Sequence, residues 1–194
     1  MSRLAEKTLN KWYPRILTLG AIIGLVASFW QVVERITMLK DPGAALSCNL
    51  NPVIDCGSVL SNRWAALFGF PNALIGIVMF TILMTFGLAM LAGVKARDWF
   101  WKAFGVVALI LILFSVWFFG MSLYVIGKVC LFCIFIWTVS VPIFLYGIDW
   151  LVANKHLGEP KFLKALRRYH TESVVLIYML ALALYFYRFR TYYF

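Results

Sequence analysis

The stretch GKVCLFCIFIWTVSVPIFLYGI, residues 127–148, decides the fold. From Val129 onward its twenty residues contain no Asp, Glu, Lys, Arg or His. A helix rises about 1.5 Å per residue, so roughly twenty apolar residues cross a hydrocarbon core about 30 Å thick. The run reads as a membrane span, with two cysteines, Cys130 and Cys133, at its head.

The rest of the chain agrees. Of 194 residues, 63% are hydrophobic and only 13% charged, and the mean hydropathy is +0.88. Soluble domains carry about 25% charged residues, so this composition cannot build a water-facing surface. Four further apolar runs occupy residues 16–33, 71–94, 103–126 and 173–187. The last is short and is extended by Tyr185 and Tyr187, with Tyr192, Tyr193 and Phe194 suited to the interface beyond. The predicted class is an all-α integral membrane protein with five spans. The basic first fifteen residues lead into a full-length run that lacks a small-residue cleavage site, so they are read as part of a retained helix rather than a signal.

The formal net charge of +10 does not mark a nucleic-acid binder. The basic residues lie in the gaps between apolar runs, and no soluble element presents a basic face with interleaved aromatics. Anionic lipid headgroups are the expected counter-charge. The acidic residues Glu34 and Asp149 sit at the ends of runs, not within them, which argues against a pump or an ion-coupled transporter. Gly20, Gly24 and Ser28 form a stripe of small residues for close helix contact.

Orientation follows from Lys and Arg. Twelve fall on one side: Arg3, Lys7, Lys11, Arg15, Lys95, Arg97, Lys102, Lys155, Lys161, Lys164, Arg167 and Arg168. Six fall on the other: Arg35, Lys40, Arg63, Lys128, Arg188 and Arg190. The excess places the N-terminus in the cytoplasm. Cys48, Cys56, Cys130 and Cys133 then share the oxidising side, while His156 and His170 fall on the cytoplasmic side and are read as solvent-facing.

Cys130 and Cys133 are three residues apart at the start of a helix, on one face. Unpaired N–H groups there favour a thiolate, and Lys128 adds positive charge. Cys48 and Cys56 lie eight apart in the first loop, SCNLNPVIDCGSVLSNRW. Asn49, Asn51 and Pro52 give Cys48 a mobile setting, and the two cysteines are near enough to close on each other. Leu60, Trp64 and Leu67 recur at helical spacing, as in an interfacial helix. Two pairs on one face form a candidate relay: a mobile pair meets a soluble protein, and an inner pair meets a lipid-soluble oxidant. A non-enzymatic scaffold with structural disulfides is the contrasting reading. A four-cysteine zinc site is disfavoured by the wide spacing of the first pair, and no metal is expected.

The order and spacing of Cys48, Cys56, Cys130 and Cys133, with GSVLSNRWAALFG containing Ser61 and Trp64 and then FPNALIG, resemble the vitamin K epoxide reductase family. The resemblance covers about residues 16–148 and looks like the bacterial, actinobacterial branch without a fused thioredoxin domain. It implies a four-helix core over residues 1–150, surrounding a quinone and capped by a loop at about 37–70. A basic cytoplasmic loop, 151–172, and a fifth helix with a short tail, 173–194, would follow. It further implies that Cys133 contacts the quinone, Cys130 resolves it, and Cys48 and Cys56 shuttle electrons. Asn72 would hydrogen-bond a quinone carbonyl or serve as a helix cap after Pro71. Phe68, Phe114 and Trp137 are candidates for holding the ring and excluding water. Trp137 stands where vertebrate members have a tyrosine, which favours plain quinone reduction over epoxide reduction.

The expected activity is that of a thiol:quinone oxidoreductase in a bacterial plasma membrane. It would reoxidise a separate extracytoplasmic thioredoxin-like disulfide carrier and so drive disulfide formation in exported proteins. Menaquinone is the first expectation, with ubiquinone or vitamin K as alternatives. Within the family the competing expectation is a vitamin K quinone and epoxide reductase that supplies quinol.

Overall fold

The computed structural model describes residues 3–158 and 170–193. Lys161, Lys164, Arg167, Arg168 and Phe194, named above for the basic loop and the tail, lie outside the described residues. The elements are α1 (Arg3–Lys40), α2 (Cys56–Ser61), a 3₁₀ turn (Arg63–Ala66), α3 (Asn72–Leu91), α4 (Asp98–Gly120), α5 (Leu131–Ala153), α6 (His170–Arg188) and α7 (Arg190–Tyr193). A π-helical turn, Met121–Ile126, continues α4. Among the described residues, five helices are long and apolar enough to cross a membrane.

The first helix is longer than its apolar run, since polar turns extend it at both ends. The loop that follows it starts at Asp41. The expected interfacial helix is broken. Asn62 leaves helical geometry (φ −70°, ψ 143°), and its side chain accepts a hydrogen bond from the Trp64 N–H, starting a separate turn. Here a side-chain cap outcompetes continuation of the helix.

Helix α1 is the hub of the bundle, packed against α3 and α5, while α4 closes the far side of α5. The core comprises the buried side chains of Tyr13, Leu17, Phe80, Leu83, Phe104, Ile143 and Leu151. The stripe of small residues sets the approach of these helices. Gly20 faces Ile143 of α5, Gly24 lies under the Phe80 ring, and Ser28 sits over Gly76 of α3. A side chain at Gly24 would overlap the Phe80 ring, which is fully buried and has nowhere to swing. Gly24→Val is therefore expected to destabilise the bundle by about 1–3 kcal/mol through overpacking. Thermal unfolding in detergent measures this, and an unchanged midpoint would mean that α1 and α3 separate freely.

At the end of the bundle away from the cap, the Tyr13 hydroxyl donates to the Ile143 carbonyl at 2.9 Å. His156 does not face solvent as expected. After α5 the chain turns back, with the His156 N–H bonded to the Leu151 carbonyl at 2.9 Å. This lays the ring against Trp101 and Trp150, with Nδ1 2.9 Å from Asp98 Oδ1. His170 is likewise only part-exposed, with Nδ1 3.3 Å from Asp149 Oδ2.

Helix α6 rests on α5 through Val174, which packs on Val141 and Leu145, and the Tyr178 hydroxyl bonds the Thr138 carbonyl at 2.5 Å. At its far end, Arg188 Nε donates to the Leu123 carbonyl at 2.8 Å.

Candidate functional site

The loop between the first two cysteines folds itself. The Asn51 side-chain oxygen accepts from the N–H groups of Val53 (2.9 Å) and Ile54 (2.8 Å). This Asx turn reverses the chain. The Leu50 N–H then bonds the Ile54 carbonyl at 3.0 Å, and Asn49 pairs with Asp55 in an antiparallel bridge. The turn brings Cys48 and Cys56 to a Cα separation of 5.7 Å, and they form a disulfide. That distance lies within the usual range for such bonds.

The same turn docks on the start of α5. The π-helical turn after α4 ends at Gly127, whose φ of +68° strongly favours glycine. The chain then runs beside the loop. Asp55 N–H donates to the Val129 carbonyl at 3.0 Å, and Val129 N–H donates to the Val53 carbonyl at 2.9 Å. Lys128 Nζ caps the Pro52 carbonyl. Burial works to raise the Asp55 pKa, but the Ser58 hydroxyl and N–H and the charge of Lys128 outweigh it and hold the carboxyl below its ordinary range. Asp55 therefore stays ionised and caps α2, its Oδ1 accepting the Ser58 N–H at 3.1 Å.

The consequence lies one residue further along each chain. Cys56 begins α2, Cys130 immediately precedes α5, and their sulfurs are 3.0 Å apart. The sulfurs of Cys48, Cys56 and Cys130 all lie within 4.8 Å of one another. Cys130 and Cys133 are free thiols, both buried. One free thiol thus touches a disulfide, which is the geometry of thiol–disulfide exchange. Cys48, expected in a mobile setting, is enclosed in this structure. Its side chain is fully buried beneath Leu46, Asn49 accepts the Gly57 N–H at 3.0 Å, and Ser47 is bound to Glu34 of α1.

Beneath this sulfur cluster a cavity opens between α1, α3, α4 and α5. Cys133, Asn72, Phe114 and Trp137 line it, with Met79, Phe80, Leu111 and Phe118. Trp137 follows Cys133 by one helical turn, and its ring meets Phe119 edge-on at 4.8 Å. Phe68 does not line the cavity. It sits past the 3₁₀ turn, stacked on Phe70 at 6.2 Å and 61% exposed, beside Gly69, whose φ is +82°.

Asn72 holds the cavity rim. Its amide nitrogen donates to the Trp64 carbonyl at 2.7 Å and its oxygen accepts the Leu67 N–H at 3.1 Å. The amide thus ties the 3₁₀ turn to α3 and leaves one of its two N–H groups over. Asn72→Ala strands both backbone partners and is expected to cost about 1–3 kcal/mol. A lowered unfolding midpoint is the readout, and Asn72→Asp, which keeps only the acceptor, should fall between.

Sequence reading missed one wall. Ser28, Gln31 and Arg35 all line the cavity from α1. Gln31 Nε2 lies 3.0 Å from Cys133 Sγ and 3.6 Å from Cys130 Sγ. Among the described residues, the buried Ser28 hydroxyl has no hydrogen-bond partner. The signal was available: residues 28, 31 and 35 are polar positions on one face of an otherwise apolar helix.

A bundle of membrane-length helices that seals a dithiol against a disulfide defines a redox protein of the membrane. The family model described as "Vitamin K epoxide reductase family" matches residues 15–148, more than half of the chain, and the chain belongs to that family. Membership makes it a membrane oxidoreductase, and the family's chemistry is linked to quinones. A search of curated proteins found no match.

Proposed function

We propose that the protein is a thiol:quinone oxidoreductase that withdraws electrons from a soluble thioredoxin-like dithiol carrier and delivers them to a membrane quinone, menaquinone first among the candidates. The observation that carries this reading is the 3.0 Å approach of Cys130 to Cys56, together with Cys133 opening into an apolar cavity on the other side.

The steps balance as follows. The carrier's two thiols reduce the Cys48–Cys56 disulfide, and the carrier leaves with a disulfide of its own. The Cys56 thiolate attacks Cys130 of an inner Cys130–Cys133 disulfide, forming a Cys56–Cys130 bond and releasing Cys133. Cys48 then attacks Cys56, restoring the outer disulfide and releasing Cys130. The arrangement seen here, outer pair closed and inner pair free, corresponds to the end of this exchange. Finally the inner dithiol re-forms its S–S bond while two electrons and two protons pass to the quinone.

The lining fits such a group. Phe80, Phe114, Phe118 and Trp137 supply flat apolar surface, and a quinone's carbonyl oxygens need donors. The unpartnered Ser28 hydroxyl and the spare Asn72 N–H are donors of that kind. When bound, the quinone supplies a two-electron acceptor. The chain's own residues orient it beside Cys133 and exclude water.

Since Cys48 is buried, exchange with a carrier requires the cap to lift. The contacts that must give are Ser47 with Glu34 and Leu46 with the sulfur cluster. The lysine and arginine distribution supports placing the cap outside the cell and the N-terminus in the cytoplasm. Disulfide formation in exported proteins of a bacterium is the physiological role this reading implies.

The test is quinone consumption by purified protein supplied with a reduced thioredoxin-like carrier. No turnover with any quinone, from protein whose Cys48–Cys56 bond also resists the carrier, would return the reading to a scaffold with a structural disulfide. Robust turnover of a vitamin K epoxide would favour the quinol-supplying alternative.

A further inference from the structure

The relay gives Gln31 no role, yet its side chain touches the inner dithiol. It comes from α1, not from the helix that carries the cysteines. It is 6% exposed, lines the cavity beside Cys133, and reaches both inner sulfurs at once, 3.0 Å to Cys133 and 3.6 Å to Cys130. We propose that Gln31 is a catalytic residue: its amide N–H groups hold negative charge on the Cys133 sulfur at the moment that sulfur acts on the molecule in the cavity.

The chemistry of the two partners supports the assignment. A primary amide carries two N–H donors. A neutral thiol accepts hydrogen bonds weakly, whereas bonds to ionised groups are roughly twice as strong as neutral ones. The contact therefore favours the reactive form of the sulfur over its resting form, which is the condition for catalysis by differential binding. The need is acute at this position. Leu60, Phe118 and Trp137 line the cavity together with Cys133, and none of them carries a charge that would balance one on its sulfur.

The other charged or titratable groups are few. Arg35 lies one turn further along the same wall, and the Cys130 thiol lies beside Cys133. Glu34 is engaged with Ser47, Asp55 with Ser58, and Lys128 with Pro52. The residues of α2, α3 and α4 that line the cavity carry no charge. Apart from its partner thiol Cys130, which also bonds it, Cys133 has a hydrogen-bond donor in Gln31 that these charged groups do not provide.

The proposal rests on the relay for its consequence in turnover, but its principal test does not. In full-length, detergent-solubilised protein carrying Cys130→Ser, with the outer disulfide closed, Cys133 is the remaining free thiol. Its alkylation by iodoacetamide is followed against pH by mass spectrometry. Gln31→Met keeps length and apolar packing but has no donor, and the alkylation midpoint is expected to rise by about one to two pH units. Gln31→Glu, an acceptor with negative charge when ionised, should raise it at least as far and serves if the Met variant does not fold. With Cys130 restored, kcat for quinone reduction should fall about ten- to hundredfold in Gln31→Met, with little change in KM. A midpoint unmoved in both variants overturns the assignment and makes Gln31 a packing contact between α1 and α5. A shifted midpoint in a protein that never reduces quinone would sink the relay and leave the Gln31–Cys133 interaction standing.

Discussion

Cys48→Ala is expected to leave the protein locked by a Cys56–Cys130 disulfide and to reduce carrier-dependent quinone turnover by about three orders of magnitude or more. The sulfurs of Cys56 and Cys130 are already 3.0 Å apart. Once the inner pair is oxidised, the free Cys56 attacks Cys130, and Cys133 is released. In the proposed relay wild type resolves this bond with Cys48, and the variant has no second thiol on the outer side. Return attack by Cys133 only regenerates the starting state, and the buried setting of Cys56 and Cys130 hinders rescue from solution. Peptide mapping without reductant reads the result directly. Turnover at the wild-type rate would sink the shuttle role of Cys48. A bond from Cys56 to Cys133 instead would assign the entry sulfur wrongly.

The second large effect concerns the far end of the relay. Cys133→Ala should abolish quinone reduction, again by about three orders of magnitude or more, while the protein stays folded. The side chain is a free thiol in a cavity wall, not a cross-link. Its removal deletes one buried atom and costs about 1–2 kcal/mol. The outer disulfide should still accept electrons from the carrier, so the variant is expected to accumulate Cys48 and Cys56 as thiols that added quinone cannot reoxidise. Thiol counting before and after quinone addition distinguishes this from loss of fold. A collapse in thermal stability with no change in redox behaviour would point to a structural role.

Much of the architecture was legible because a bilayer imposes simple requirements. Twenty uncharged residues after Lys128 leave few options other than a helix, and α5 follows that run closely. The four cysteines were legible for the same reason, since few other groups in the chain can do redox chemistry. Details governed by side-chain to backbone hydrogen bonds were harder to read. Asn62 interrupts what its neighbours' spacing describes as one helix. Asn51 turns a stretch that looks mobile into a tight reversal that buries Cys48. Phe68 has the composition of a pocket residue, but it stacks on Phe70 and is exposed, outside the cavity lining. Gln31 was overlooked because periodicity ranks it by the apolar company it keeps, whereas its partner sulfurs lie 99 and 102 residues away.

Three of the four sulfurs have no exposed surface, and Cys133 retains only 5%. In electrical terms the proposed relay would be an insulated conductor with one terminal under the cap and the other in the cavity. Small thiols and peroxides diffusing past the closed form meet little sulfur at the surface, so stray electron exchange with bulk reductants and oxidants is slowed by shape alone. Its current would then be metered by whatever can raise the cap rather than by the redox poise of the surrounding medium.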